Sequence, residues 1–161
     1  ATVQIIEKNG AGGTATDKTS GTIRFKTADN ATVDTSNPMV KPVSVTDYSF
    51  EKWIRFNVSA GTYTSISNIK AYSDGSSGMG TGVGVYAKAV ATYATPAEAT
   101  ATTGYTSLFS YTSGSALTLG AGPFTSTGEK GDHLVMIMTV ADTASGGVTP
   151  SETLTIAWDE I

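Results

Sequence analysis

Apolar and polar residues alternate with a period of two through much of the chain. The pattern is densest in SFEKWIRFNVSAGTYTSISNIKAY, residues 49–72. There Ile54, Phe56 and Val58 share one face and Trp53, Arg55 and Asn57 the other, as in a half-buried strand. Ser59, Ala60, Gly61 and Thr62 supply small turn residues, and Gly61 is free to take a positive φ. A second strand follows through Ile66, Ile69 and Tyr72. The pair reads as a hairpin at the centre of the fold.

The same period predicts strands elsewhere. TVQIIEK opens the chain with Val3 and Ile5 on one face, and TIRFKT (22–27) puts Ile23 and Phe25 inward, Arg24 and Lys26 outward. VGVYAKAVATYAT (83–95) is long and alternating, and its Val, Tyr and Thr content decides against the helix that Ala and Lys would favour. YTSLFSYT (105–112), a short strand at 117–119 and TLTIAW (153–158) follow. HLVMIMTVA (133–141) is apolar on both faces, which predicts a strand covered on both sides. A short edge strand is expected at 43–45. Residues 14–21, 28–42 and 120–132 read as loops. Thr95 and Pro96 can cap and start the one short helix, over residues 96–99. The sum is eight to ten strands with little helix, an all-β chain folded as a single antiparallel β-sandwich domain over residues 1–161, jelly-roll-like in its uneven loops.

Composition narrows the function. The 161 residues carry 10 Lys plus Arg against 14 Asp plus Glu, a net charge of −4. That leaves no basic footprint for nucleic acid and no polybasic patch for a membrane. Charged residues make up only 15% of the chain, below the roughly 25% usual for soluble domains, so the surface is dominated by Thr, Ser, Ala and Gly. There is no cysteine, which excludes disulfides and thiolate metal sites. The first residues, ATVQIIEK, lack the basic and apolar regions of a signal peptide.

Catalytic groups are scarce. His133 is the single histidine, so a nucleophilic triad would depend on it, and no nucleophile elbow accompanies it. Glu51, Asp74, Glu98, Glu129, Asp132 and Asp159 sit near turns or strand ends without the aromatic platforms of a sugar-cleaving site. Asp29, Asn30 and Asp34 share one loop, but their spacing fits turn chemistry and no EF-hand. DGSSGMGTG (74–82) lacks the Lys-Ser/Thr ending of a phosphate loop. The expectation is a protein that is not an enzyme and has no cofactor.

The segments IRFKTADN, DTSNPMVKP, YSFEKWIRFNVSAGTYTSISNIKAYSDG and TLTIAWDEI, in this order, resemble small β-rich structural proteins of tailed bacteriophages. The resemblance covers most of the chain and brings no catalytic signature. It implies a virion structural protein, foremost a capsid decoration (cement) subunit that binds the major capsid protein or other virion proteins on the capsid surface as a homo-oligomer. A tail component is the alternative within the virion. A carbohydrate-binding β-sandwich module is the alternative from another class, with Tyr48, Tyr63, Tyr72 and Trp53 as its rings.

Such proteins work through surfaces, so the candidate site is a set of partner contacts. Trp53 and Arg55 lie on the strand face that core packing leaves unexplained. They either pack under a second layer or anchor a partner, as Trp and Arg do at interface hot spots. Met39 and Val40, between Pro38 and Pro42, either tuck onto the core or present an apolar knob. Val3 and Ile5 belong to an N-terminal strand guarded only by Glu7 and Lys8, so that strand and the 28–42 loop are the expected contacts with a neighbouring subunit.

Overall fold

The structure is a computed structural model that describes residues 1–147 and 149–161. Among them the chain is nearly all β, with ten strands: β1 Thr2–Asn9, β2 Thr14–Asp17, β3 Thr46–Tyr48, β4 Lys52–Ala60, β5 Ile66–Tyr72, β6 Val83–Val90, β7 Thr106–Ser107, β8 Leu117–Gly120, β9 Gly128–Ala141 and β10 Thr155–Glu160. The strands form two antiparallel sheets packed as a sandwich. The larger has the order β2-β1-β4-β9-β6-β7, with β3 also paired to β9, and the smaller the order β10-β5-β8.

β9 is the axis of the large sheet, and its composition explains why. Residues 133–140 are buried without interruption, as a strand covered on both faces must be. One edge of β9 pairs with β6 along its second half. The other edge pairs with β4 along its first half and with β3 beyond it. Between β3 and β4, Ser49 stands in for a regular ladder residue. Its backbone N–H donates to Met138 O, and its hydroxyl accepts from the Met138 N–H at 2.9 Å.

β4 and β5 exist where the alternation places them, but they are not a hairpin. β4 pairs with β1 and β9, and β5 with β10 and β8. The chain crosses from one sheet to the other after Gly61, whose φ of 109° only glycine adopts readily. The reason is burial. Side by side, the two apolar faces would point the same way, whereas on opposite sheets they cover each other. Ile54, Phe56 and Val58 accordingly meet Ile66, Ile69 and Ala71 in one core, together with Val85, Ala87, Leu119, Leu134 and Met136. Each large side chain so buried contributes about 1.5–3 kcal/mol. Phe56 also packs edge-on to Trp158 with ring centres 5.1 Å apart.

Several expected elements differ. Residues 22–27 form no strand and join no sheet among the described residues, and Lys26, expected outward, is buried. Residues 14–17, expected as loop, form β2 beside β1. β1 is therefore an interior strand over residues 6–9, not an open edge. The edge strand expected at 43–45 falls at Thr46–Tyr48 instead, because Val45 takes a φ of 67° that breaks an extended run. Residues 96–99 form no helix. Glu98 bridges to Phe50, and the flanking backbone groups bond Ser49 and Glu51. Only Thr106–Ser107 of the strand expected at 105–112 is formed, and Leu108–Ser110 closes into a 3-10 turn. Residues 128–132, expected as loop, begin β9.

Candidate functional site

The outward face of β4 is the first candidate surface, and Trp53 and Arg55 project from it. Trp53 is not open to a partner, for it is only 3% exposed. Residues 91–105 fold over it. Its ring meets Tyr93 edge-on at 5.3 Å and His133 at 5.4 Å. Its indole N–H donates to Glu51 Oε2 at 2.9 Å, while the Tyr105 hydroxyl donates to Glu51 Oε1 at 2.8 Å. One carboxylate thus ties the covering segment to the indole beneath it. Burial pushes the Tyr93 phenol up to about 12. Burial, and next the Glu51 carboxylate, raise that of Tyr105 as well.

Arg55 is half-buried beside this cover. Its guanidinium lies 3.6 Å from Glu129 Oε2 and 3.2 Å from His133 Nδ1. Glu129 also takes both hydrogen bonds of Lys8, at 2.7 and 2.8 Å. Desolvation, and then the Arg55 charge, hold the His133 imidazole below its ordinary pKa. The imidazole is buried against the Trp53 indole and the Tyr93 ring. The Trp53–Arg55 face is thus a second, smaller core on the outside of the large sheet, and it gives a glycan no indole platform.

The long segment between β2 and β3 is held by charge instead of by a ladder. Lys52 and Glu7 are both fully buried. Lys52 Nζ donates to Glu7 Oε1 at 2.9 Å and to the Asn30 carbonyl at 2.8 Å. Lys26 Nζ donates to Asn30 Oδ1 at 2.7 Å and to the Thr32 carbonyl, and Lys18 lies 3.8 Å from the other Glu7 oxygen. Asp29 and Asp34 serve the same loop separately. Asp29 accepts from Asn9 and Gly10, and Asp34 from Asn30, Ser36 and Asn37. Those bonds, Asn37 first, hold the Asp34 carboxyl below the usual range. Asp34 is committed to backbone and amide donors of its own loop, and Asp29 to those at the end of β1.

The anchored loop ends in an apolar surface. Met39 packs against the core, but Val40, next to it, is 58% exposed. Val43 and Val45 beyond are 100% and 79% exposed. They flank β3, which pairs with β9 on one side only among the described residues. Val3 and Ile5 lie elsewhere. They point from β1 toward the small sheet and line a cleft between the two sheets. The candidate contacts therefore separate into a buried pair (Trp53, Arg55), an exposed knob (Val40) and a cleft wall (Met39, Val3, Ile5). Sequence reasoning missed Val43 and Val45 as surface. The signal was present, since β-branched residues directly after Pro42 cannot all be placed inward. Compared with models of known protein families, with curated proteins and with solved structures, the chain matches none.

Proposed function

We propose that this protein is a structural subunit of a tailed-phage virion, foremost a capsid decoration protein that stabilises the assembled head through surface contacts. The observation that carries the reading is the valine-bearing edge. Val40, Val43 and Val45 stand out from a loop that four buried or half-buried charged groups hold in place, beside the open edge of β3. An apolar knob next to the open edge of a strand suits docking on another protein. The hydroxyl-rich surface of low charge is compatible with close packing in a shell. The same features serve a tail component, which is the second reading.

The test is electron cryo-microscopy of virions purified from a phage that encodes the chain. Density for the sandwich on the outer head lattice is expected. Density confined to the tail would move the assignment there, and absence from the particle would end it. Val43→Asp with Val45→Asp is expected to lower occupancy severalfold while leaving the solution fold intact, since both side chains are exposed. Deleting residues 2–6 is not a suitable probe, because it removes the part of β1 that pairs along β4.

A further inference from the structure

The two sheets are unequal, and the sandwich is closed on only one side. At one edge of the small sheet, β8 lies against β9, where Gly120 and Gly131 approach closely. At the other edge, β10 has no strand beyond it among the described residues. Along that edge runs a cleft of about 870 Å³.

The cleft follows the course of β10. Glu160 reaches Ala1 at the start of β1, Trp158 meets Phe56 on β4, and Glu152, just before β10, bonds Gly78 ahead of β6. The floor crosses the large sheet the same way, from Val3 and Ile5 on β1 through Met136 and Met138 on β9 to Val85 on β6. One wall is β10 itself. Thr155, Ile156 and Trp158 of β10 border the cleft, and the wall continues through residues 149–154 ahead of the strand. The opposite wall is residues 21–25, again consecutive. That segment has the alternation of a strand in its sequence, yet joins no sheet among the described residues. Among the described residues, the backbone groups of Ile23, Arg24 and Phe25 form no backbone hydrogen bond, and β10 forms none beyond its ladder with β5.

The open edge of β10 and the backbone of residues 23–25, which has no ladder, thus line opposite walls over an apolar floor. Ile156, Trp158, Ile23 and Phe25 point toward the core and pack against it, but stay only half-buried, unlike the fully buried residues of β4. We infer that the cleft accepts an extended strand from a neighbouring protein chain, which pairs with β10 and with residues 22–25 and fills the space between the sheets with alternate apolar side chains. Strand addition gains affinity from main-chain hydrogen bonds and specificity from alternate side-chain pockets. The six residues of β10 offer roughly 20 Å of edge at about 3.3 Å per residue.

The rim sets the charge of the guest. Lys18, Arg24 and Lys41 border the cleft against the single carboxylate of Glu152, which already accepts from the Gly78 N–H. Arg24 and Lys41 form no ion pair among the described residues. A guest strand with acidic residues flanking its apolar positions is the complement. This deepens the assembly reading by naming how a neighbour is held, and it rests on that reading only for the source of the strand.

The experiment reads the cleft in the isolated protein, so its failure leaves the virion assignment standing, and absence from virions leaves its result standing. The probe is a synthetic nine-residue peptide, blocked at both ends, in which Val and Thr alternate between terminal aspartates. Amide hydrogen exchange at residues 23–25 and 155–158 is expected to slow at least about tenfold on saturation. Arg24→Glu with Lys41→Glu, both exposed, is expected to weaken binding by about tenfold or more. A peptide with Pro at every Thr position is expected not to bind, having lost its donors. Four results would each overturn the inference. The first is equal binding of the Pro peptide. The second is dodecanoate slowing the same amides as strongly as the peptide, which marks a site for small amphiphiles. The third is slowing that grows with protein concentration alone, which makes the guest a second copy. The fourth is exchange at both edges already as slow as in β5 without peptide, which means that they pair with each other.

Discussion

Lys52 Nζ lies 2.9 Å from Glu7 Oε1, and neither side chain is open to solvent. The pair lies on the inward face of the large sheet, where β1 and β4 run side by side and Glu7 faces Ile54 across the ladder. Core packing alone would put an apolar residue at both positions. Their role is to hold a loop: Lys52 also takes the Asn30 carbonyl, and Lys26 fastens the same residue through its side chain. The segment 18–45 between β2 and β3, without a ladder of its own, is fixed near its middle by these bonds.

Removing Glu7 takes away the carboxylate that Lys52 pairs with, and removing Lys52 leaves Glu7 with Lys18 at 3.8 Å. Lys52→Met or Glu7→Gln is expected to cost about 3–5 kcal/mol. The double variant Glu7→Leu with Lys52→Met is expected to cost less than the sum of the two singles. Urea unfolding of all three, arranged as a double-mutant cycle, checks this. Additive losses would mean that the two side chains act independently.

The cover over Trp53 hangs on Glu51. Trp53→Ala deletes a buried indole at an expected cost of about 3–5 kcal/mol. Glu51→Ala leaves the indole in place but frees both it and the Tyr105 hydroxyl from their shared acceptor. Its stability loss is expected to be about 1–3 kcal/mol, and acrylamide is expected to quench the Trp53 emission more readily. Quenching is best read in a Trp158→Phe background, which leaves one indole. Unchanged quenching there would show that residues 91–105 are held down by packing alone.

The alternation of apolar residues located the strands that make the core because those strands each bury one face. Ile54, Phe56 and Val58, and Leu134 with Met136, were legible for that reason. Which strands pair was not legible. β4 and β5 are adjacent in sequence and equally apolar, and nothing in their residues distinguishes a hairpin from a crossing between sheets. Residues 22–27 mislead in the opposite way. Their period of two is real, but a strand needs a partner: β2 takes the edge of β1 over residues 6–9, and the open edge of β10 lies on the other wall of the cleft. Lys26 and Lys52 were unreadable as buried groups, because their acceptors, Glu7 and the 30–32 backbone, lie far away or in a loop. Of the candidate contacts, the place of Met39 and Val40 between two prolines does not say which turns inward, and the structure divides them, Met39 onto the core and Val40 outward. The burial of Trp53 was not legible either, since its cover comes from residues 91–105, forty positions on.

His133 gives the fold a pH dependence of definite sign. In the folded protein desolvation and Arg55, with a smaller share from Lys8, hold its pKa down, while the Val90 carbonyl and Glu129 partly oppose them. The unfolded chain takes up the proton near pH 6.5, and the folded protein only at lower pH. Stability is therefore level above about pH 6.5, falls as pH drops below it, and levels again below the folded value. The depressed carboxyls of Asp17 and Asp34 begin to withdraw their stabilisation only on further acidification, through their own lower range. His133→Asn is expected to flatten the upper part of the curve and leave the acid limb. Urea midpoints measured across this range in both proteins test it. An equal slope in the variant would assign the upper limb to another group.

Gly131 is where the small sheet closes on the large one. It has a φ of 69°, and a Cβ there would lie 2.5 Å from the Leu119 carbonyl oxygen of β8. It also sits at the irregularity where β4 and β9 lose register between Ile54 and Phe56. The left-handed conformation alone costs a non-glycine residue roughly 1–2 kcal/mol, and the clash with a backbone oxygen cannot be relieved by a rotamer change. Gly131→Ala is therefore expected to destabilise by more than that, and to speed amide exchange in β8 ahead of β4. Gly128→Ala is the comparison. It too has a positive φ, but a Cβ there meets nothing within 4 Å, so it carries the conformational cost without the contact. If the closed side of the sandwich depends on this approach, only the Gly131 variant loosens β8. Equal loosening in both would place the effect in the backbone of β9 alone.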